Sequence, residues 1–332
     1  MTNALARVGV VAIGRNEGER LRRCFDSIPK QIGAVVYVDS GSTDGSVDLA
    51  RSRGYTVVDL DMKRPFTAAR ARNAGFERLI AMAREIDYVQ FVDGDCAIAE
   101  GWLELAAEAL DSQPDVVAVW GRRRELHPEH SVYNRVCDVE WGQERPGETQ
   151  VFGGDVMVRT RVVRELGGYD SRIIAGEDPE FAYRVHKRGH RILRLAAEMT
   201  AHDAAIMHFR QWWVRTKRSG YAYAQVYAMH RSEPEKFWQK DRKRALVWGF
   251  VVPALVPALA VPTLGLSSLL LGAYPLRAMR IAQKAREEGL DADDARYWAM
   301  HCVGASFPQA IGILSYHWQK LRGKNPEIIE YK

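Results

Sequence analysis

Tyr88-Val89-Gln90-Phe91-Val92-Asp93-Gly94-Asp95 is the stretch on which the reading of this chain turns. A strand-like apolar run ends abruptly in two carboxylates separated by one glycine. Side chains two apart in an extended segment point to the same side, so Asp93 and Asp95 face one site. Two hard oxygen donors at a strand end suit a divalent cation shared with substrate phosphates. Taken alone, Asp-Gly-Asp also reads as a polar turn before a helix, here one expected to begin near Gly101. The flanking segments decide between the two.

Upstream, β-branched runs at Val8–Ile13, Val35–Val38 and Tyr55–Leu60 alternate with segments of helical period such as Leu21, Phe25 and Ile28. That alternation predicts an α/β domain: a mixed, mainly parallel sheet with helices on both faces. Ligands of such sheets sit beyond the carboxyl ends of the strands. Polar clusters fall at those ends: Gly14-Arg15-Asn16-Glu17, then Asp39-Ser40-Gly41-Ser42-Thr43-Asp44, then Asp93-Gly94-Asp95. Downstream, a strand at Val116–Trp120 leads into a charged stretch, Arg122 to Gln150, read as an irregular connection. A strand at Val156–Arg159 follows Gly153-Gly154-Asp155, and Gly176-Glu177-Asp178-Pro179-Glu180 opens a helix with carboxylates at its positive end.

Over about residues 8 to 215, the order of these segments resembles the inverting family-2 glycosyltransferases of the GT-A, nucleotide-sugar-binding type, bacterial and membrane-associated. The resemblance implies metal-dependent sugar transfer, with Mg²⁺ or Mn²⁺ serving equally. It assigns Asp39 to the nucleotide base, with a lean to UDP over GDP, although Ser40 replaces the usual second Asp. Ile13 and Glu17 belong to a first loop that keeps Asn-Glu but lacks the family's proline and tyrosine. Ala69-Arg70-Ala71-Arg72-Asn73-Ala74-Gly75 resembles the Arg-Asn-x-Gly segment, making Arg70 and Arg72 donor contacts or else the solvated face of a basic helix. Asp93 is implied to meet the ribose and Asp95 the metal, with His202 as a further metal ligand.

Gly176-Glu177-Asp178 resembles the Thr-Glu-Asp motif, so Asp178 becomes the base that deprotonates the acceptor hydroxyl, with Glu177 assisting; helix capping is the competing role, and Glu180 and Asp155 are rivals for the base. Gly154 and Asp155 are expected on the acceptor side. Gln211-Trp212-Trp213-Val214-Arg215 departs from the Gln-x-x-Arg-Trp of processive members, which argues against a processive synthase. Arg215 is still expected near the pyrophosphate, and Trp212 and Trp213 as packing or interfacial anchors.

A net charge of +5 and a pI near 9.0 suit an anionic substrate or an acidic membrane surface. Nucleic acid is not an expected partner. Cys24, Cys96, Cys137 and Cys302 are scattered, with neither disulfide nor zinc spacing, which favours a reducing compartment. Met1 to Arg7 is too short and too polar for a signal peptide. No charged side chain occurs from Ala245 to Leu276, and a second uncharged run covers Tyr297 to His317. We therefore expect a glycosyltransferase domain over 1–230 and a helical, membrane-associating region over 231–332.

Two full spans would place Arg277, Arg280, Lys284, Arg286 and Arg296 outside, against the positive-inside rule. Pro253, Pro257 and Pro262 point instead to a run that bends back, giving a monotopic enzyme on the cytoplasmic face of the membrane. A glycan or lipid-linked acceptor of surface or exopolysaccharide synthesis follows. The competing classes are a nucleotidyltransferase, for which Gly14-Arg15 is too little of a triphosphate loop, and an inactive membrane scaffold of the same fold. Glycoside hydrolysis needs two carboxylates but no nucleotide-binding loops.

Overall fold

The structure is a computed structural model that describes residues 4–83 and 85–323. The chain forms two compact units, one comprising the chain up to Leu126 with Trp141–Ala204, the other His127–Glu140 with the chain from Ala205 onward. The helix Phe209–His230 belongs to the second unit, where it packs against the helix Ser306–Leu321.

The first unit is built on β1 (Val8–Gly14), β2 (Ala34–Asp39), β3 (Thr56–Asp59), β4 (Tyr88–Asp93), β5 (Cys96–Ile98), β6 (Val116–Glu125), β7 (Gly147–Glu148), β8 (Val156–Arg159) and β9 (Arg191–His202). They form one mixed sheet in the order β3-β2-β1-β4-β8-β6-β9-β5, with β7 paired to β9. β1 to β4 are mutually parallel, and β8 is antiparallel to both β4 and β6. β1, the first strand in the chain, lies between β2 and β4, so the crossovers leave it in opposite directions and a crevice opens at its carboxyl end. Val10, Val11, Val36, Val38, Val89 and Phe91 are fully buried, as expected of parallel strands covered on both faces.

All six strands read from the sequence are present. β5, β7 and β9 were not anticipated, and the stretch from Arg122 to Gln150 is more regular than expected. β6 runs on to Glu125, and a helix, Val132–Gly142, follows. β9 is rich in Ala, Leu and Arg, which favour helix as readily as strand, so pairing with β6 rather than propensity decides it.

The helix Ala68–Met82 lies across β1 and β2, and Gly75 makes that approach possible. A Cβ there would stand 2.4 Å from Val11 Cγ1 and 2.8 Å from Val38 Cγ2. Gly75→Ala should therefore destabilise the fold by about 1–3 kcal/mol, read as a lowered urea midpoint. An unchanged midpoint would mean the helix is free to move off the sheet.

In the second unit, the helices Phe209–His230 and Ser306–Leu321 meet through glycines: a Cβ on Gly220 would come within 2.0 Å of Gln309 O, and one on Gly312 within 2.1 Å of Lys217 O. The second apolar run thus supplies a helix–helix contact. The first run folds back on itself as Val247–Val251, Val252–Ala258 and Leu266–Gly272. Among the described residues, no helix is long and apolar enough to cross a membrane.

Candidate functional site

The carboxyl ends of β1, β2 and β4 bring three loops together. Asn16, at φ 56°, accepts from the Thr43 amide at 2.7 Å and donates its own amide to Ser42 Oγ at 2.9 Å. Its side chain therefore ties the first loop to the second. Asp39 is buried; it accepts from the Tyr37 hydroxyl at 3.0 Å and from the amides of Gly41 and Ser42 at 2.9 and 2.8 Å. These bonds shape the loop around its carboxylate. Ile13 pairs in register with Asp93, and Glu17, held by Arg20 at 2.9 Å, packs beside Gly94.

Arg72 is the centre of the site. Its guanidinium is 2% exposed and reaches Asp93 at 2.9 Å, Glu177 at 2.8 Å and Asp178 at 3.5 Å, with the carbonyl of Gly154 at 3.3 Å. Burial alone would lower its pKa, but Asp178, Asp93 and Glu177 more than reverse that, so it remains charged. The alternative of a solvated helix face is excluded by this burial: Arg72 is an internal clamp between a strand end and a helix start. Asn73 continues the clamp, holding the backbone of Tyr169 through both its carbonyl and its amide, at 2.8 and 2.7 Å. Arg70 lies apart, donating to the carbonyls of Asp61, Arg64 and Pro65.

Asp155, expected on the acceptor side, has no exposed surface. Its carboxylate accepts from the Asp93 amide at 3.0 Å, the Thr200 hydroxyl at 2.6 Å and Arg123 Nε at 3.1 Å, so it braces β4 from beneath. Gly154 is hemmed in by Asp93, Arg72 and Arg123, all within 3.0 Å of where a Cβ would be. Glu180 pairs with Arg184 at 2.9 Å and is 1% exposed, which leaves Asp178 the better base. Asp178 Oδ1 has no hydrogen-bond partner among the described residues. Burial pushes the Asp178 carboxyl up to about 8, partly opposed by Arg72 and reinforced by Glu177. Burial likewise raises Asp93, against the pull of Arg72. Arg215 belongs to the second unit, where it pairs with Glu140 at 2.8 Å; Trp212 is packed there too, donating to His301 Nδ1 at 3.0 Å.

Sheet register delivers the donor set for a cation. His202 pairs with Cys96 on one side and Glu125 on the other, so its ring lies between Asp95 and Glu125. Nε2 is 3.3 Å from Asp95 Oδ1, and Nδ1 is 3.6 Å from Glu125 Oε2. Burial would lower its pKa, but Asp95 and Glu125 together raise it. A carboxylate and an imidazole converging this closely fit Mn²⁺ or Mg²⁺. Cys96 is also near, but burial raises its thiol well above the usual range and keeps it protonated. Trp141 walls the site, its ring 4.8 Å from His202 and 5.5 Å from Arg123. Glu125, Arg123 and Trp141 were missed in the sequence: the polar run Gly121-Arg122-Arg123-Arg124-Glu125 carries no strand alternation, and Trp141 lies on a helix within the stretch expected to be an irregular connection.

Residues 10–162 match the model of Glycosyl transferase family 2. The chain is 25% identical over 247 residues to glycosyltransferase AglE of Haloferax volcanii, covering 70% of this chain and 77% of that one. It is 24% identical over 330 residues to the pre-mycofactocin glycosyltransferase of Mycobacterium tuberculosis, covering 94% of this chain and 65% of that one. In fold it is similar to the mannosyltransferase PcManGT of Pyrobaculum calidifontis, solved with GDP-Man and Mn²⁺, at a TM-score of 0.60 and 20% identity over 95% of this chain and 88% of that one.

If Glu125 holds the ring of His202 for a cation, Glu125→Gln should weaken Mn²⁺ binding on the order of 10–100-fold, measured by titration calorimetry without donor. Wild-type affinity in the variant would make Glu125 a purely structural residue.

Proposed function

We infer that this chain, a glycosyltransferase belonging to glycosyl transferase family 2, moves a sugar with inversion from a nucleotide diphosphate donor to an acceptor hydroxyl. The observation that carries the reading is Asp178: a buried carboxylate at a helix start, with one oxygen that accepts no hydrogen bond among the described residues and stands 3.5 Å from Arg72, and a proton affinity raised by burial into the range of a useful base. As the acceptor oxygen attacks the anomeric carbon, its proton passes to Asp178. The bond to the diphosphate breaks, and the nucleoside diphosphate leaves. Glu177, locked to Arg72, fixes the position of the helix start and of its neighbour. Asp95 and His202 would hold a divalent cation, which when bound would supply positive charge to offset that on a departing diphosphate.

Asp93 is assigned to the ribose and Asp39 to the base, Asp93 with 29% of its side chain exposed at the crevice. UDP is proposed over GDP on Asp39 alone. The acceptor is a glycan or lipid-linked hydroxyl, and the place of action is the cytoplasmic face of the membrane, a reading supported by the long uncharged run and its basic flanks.

A panel of UDP- and GDP-sugars with Mn²⁺ or Mg²⁺, scored for nucleoside diphosphate release onto acceptor, tests the mechanism. Asp178→Asn should lower kcat by about 10²- to 10⁴-fold with little change in donor binding. The ionised form of Asp178 is the working base, so kcat/KM should fall on acidification below about 8, rise through that value and level off above it. Turnover that is flat across this range, or unchanged in the variant, contradicts the assignment.

A further inference from the structure

The folded-back first apolar run presents a surface that the sugar-transfer reading does not use. Its two arms close at the base, where the Tyr274 hydroxyl donates to Trp248 O at 2.5 Å and the two rings lie 5.7 Å apart. Further out, Ser267 Oγ donates to Val256 O at 2.7 Å, satisfying a carbonyl that water need not reach. The tip is almost entirely apolar and bare: Val261 is 85% exposed, Leu264 94%, Leu266 67% and Leu269 74%. An open hollow of about 490 Å³ lies there, lined by Leu259, Thr263, Leu266, Ser267, Leu269 and Leu270. Exposed apolar surface this concentrated marks a docking surface.

Charge at the base selects the partner. Lys243 and Arg244 precede the first arm, and Arg280, Lys284 and Arg286 follow the second, all exposed; Asp241 and Glu288 offset Arg244 and Lys284 only in part. Arg277 lies 4.9 Å over the Trp248 ring, which places a cation beside an aromatic pair where apolar surface gives way to polar. An apolar tip, an aromatic base and a basic collar follow the order of an anionic lipid leaflet from acyl chain to headgroup. At 1.5 Å per helical residue, the arm from Trp248 to Val261 extends no more than about 20 Å, short of the ~30 Å hydrocarbon core.

We propose that the hairpin from Val247 to Tyr274 is a membrane-insertion element that enters one leaflet of an anionic bilayer, its tip among the acyl chains and its collar on the headgroups. This deepens the proposed membrane location and rests on it, but not on the chemistry of transfer. The test is flotation of the full chain with phosphatidylcholine vesicles, with and without phosphatidylglycerol. Wild type should float with the anionic vesicles, and Leu264→Asp with Leu269→Asp should cut binding at least about 10-fold. Lys243→Glu with Arg280→Glu should remove the preference for anionic lipid. A nitroxide on Leu264→Cys should be shielded from aqueous nickel reagent on both sides of the bilayer.

Nucleoside diphosphate release in vesicle-free buffer should stay at the wild-type level in the tip variant, which separates failure of insertion from failure of the sugar-transfer reading. Undiminished flotation of the tip variant overturns the proposal. So does a tip variant that changes oligomeric state while binding vesicles normally, because the surface would then join protein copies.

Discussion

A single buried guanidinium holds the two halves of this site in register. Arg72 comes from the helix that lies across β1 and β2, and it grips Asp93 at the end of β4 and Glu177 at the start of a helix far along the chain. An unpaired charge so buried would be strongly destabilising, and three carboxylates around one cation leave the cluster net negative. Burial raises the proton affinity of Asp178, the carboxylate held most loosely, and its acidic neighbours Glu177 and Asp93 add to the rise against the pull of Arg72. Stability and chemistry therefore draw on the same contact.

Other features of the first unit follow from making room for that contact. Gly75 lets the helix down onto the sheet, and Gly154 leaves space where Asp93, Arg72 and Arg123 converge. Asp155 accepts the amide of Asp93 from below, so the strand end cannot swing away from the clamp. The far side of the site is set independently by strand register, which places His202 between Asp95 and Glu125. Two supports, one ionic and one from the sheet ladder, thus fix carboxylates only two residues apart.

Much of this was legible in the sequence. Loop placement at the ends of parallel strands put Asp39, Asp93 and Asp95 at one crevice, where the structure has them, because topology alone brings such loops together. What Arg72 and Asp155 do was not legible, since a charged side chain reads the same whether it meets a substrate or a buried partner. Glu125 escaped because β6 continues beyond its apolar half, where strand pairing replaces hydrophobic pattern as the determinant. In the second unit, an uncharged stretch announced itself, but only packing separated its halves. Gly312 and Gly220 draw the later run into a helix–helix contact, while the earlier one is left bare at its tip.

The claim that Arg72 joins the strand end to the helix start is tested most directly by a double-mutant cycle in urea, combining Arg72→Met with Glu177→Gln. Removing either partner of a shared buried contact already removes the contact. The account predicts a coupling energy of about 1–3 kcal/mol, with the double variant less damaged than the sum of the singles. Strict additivity of the two substitutions would contradict it.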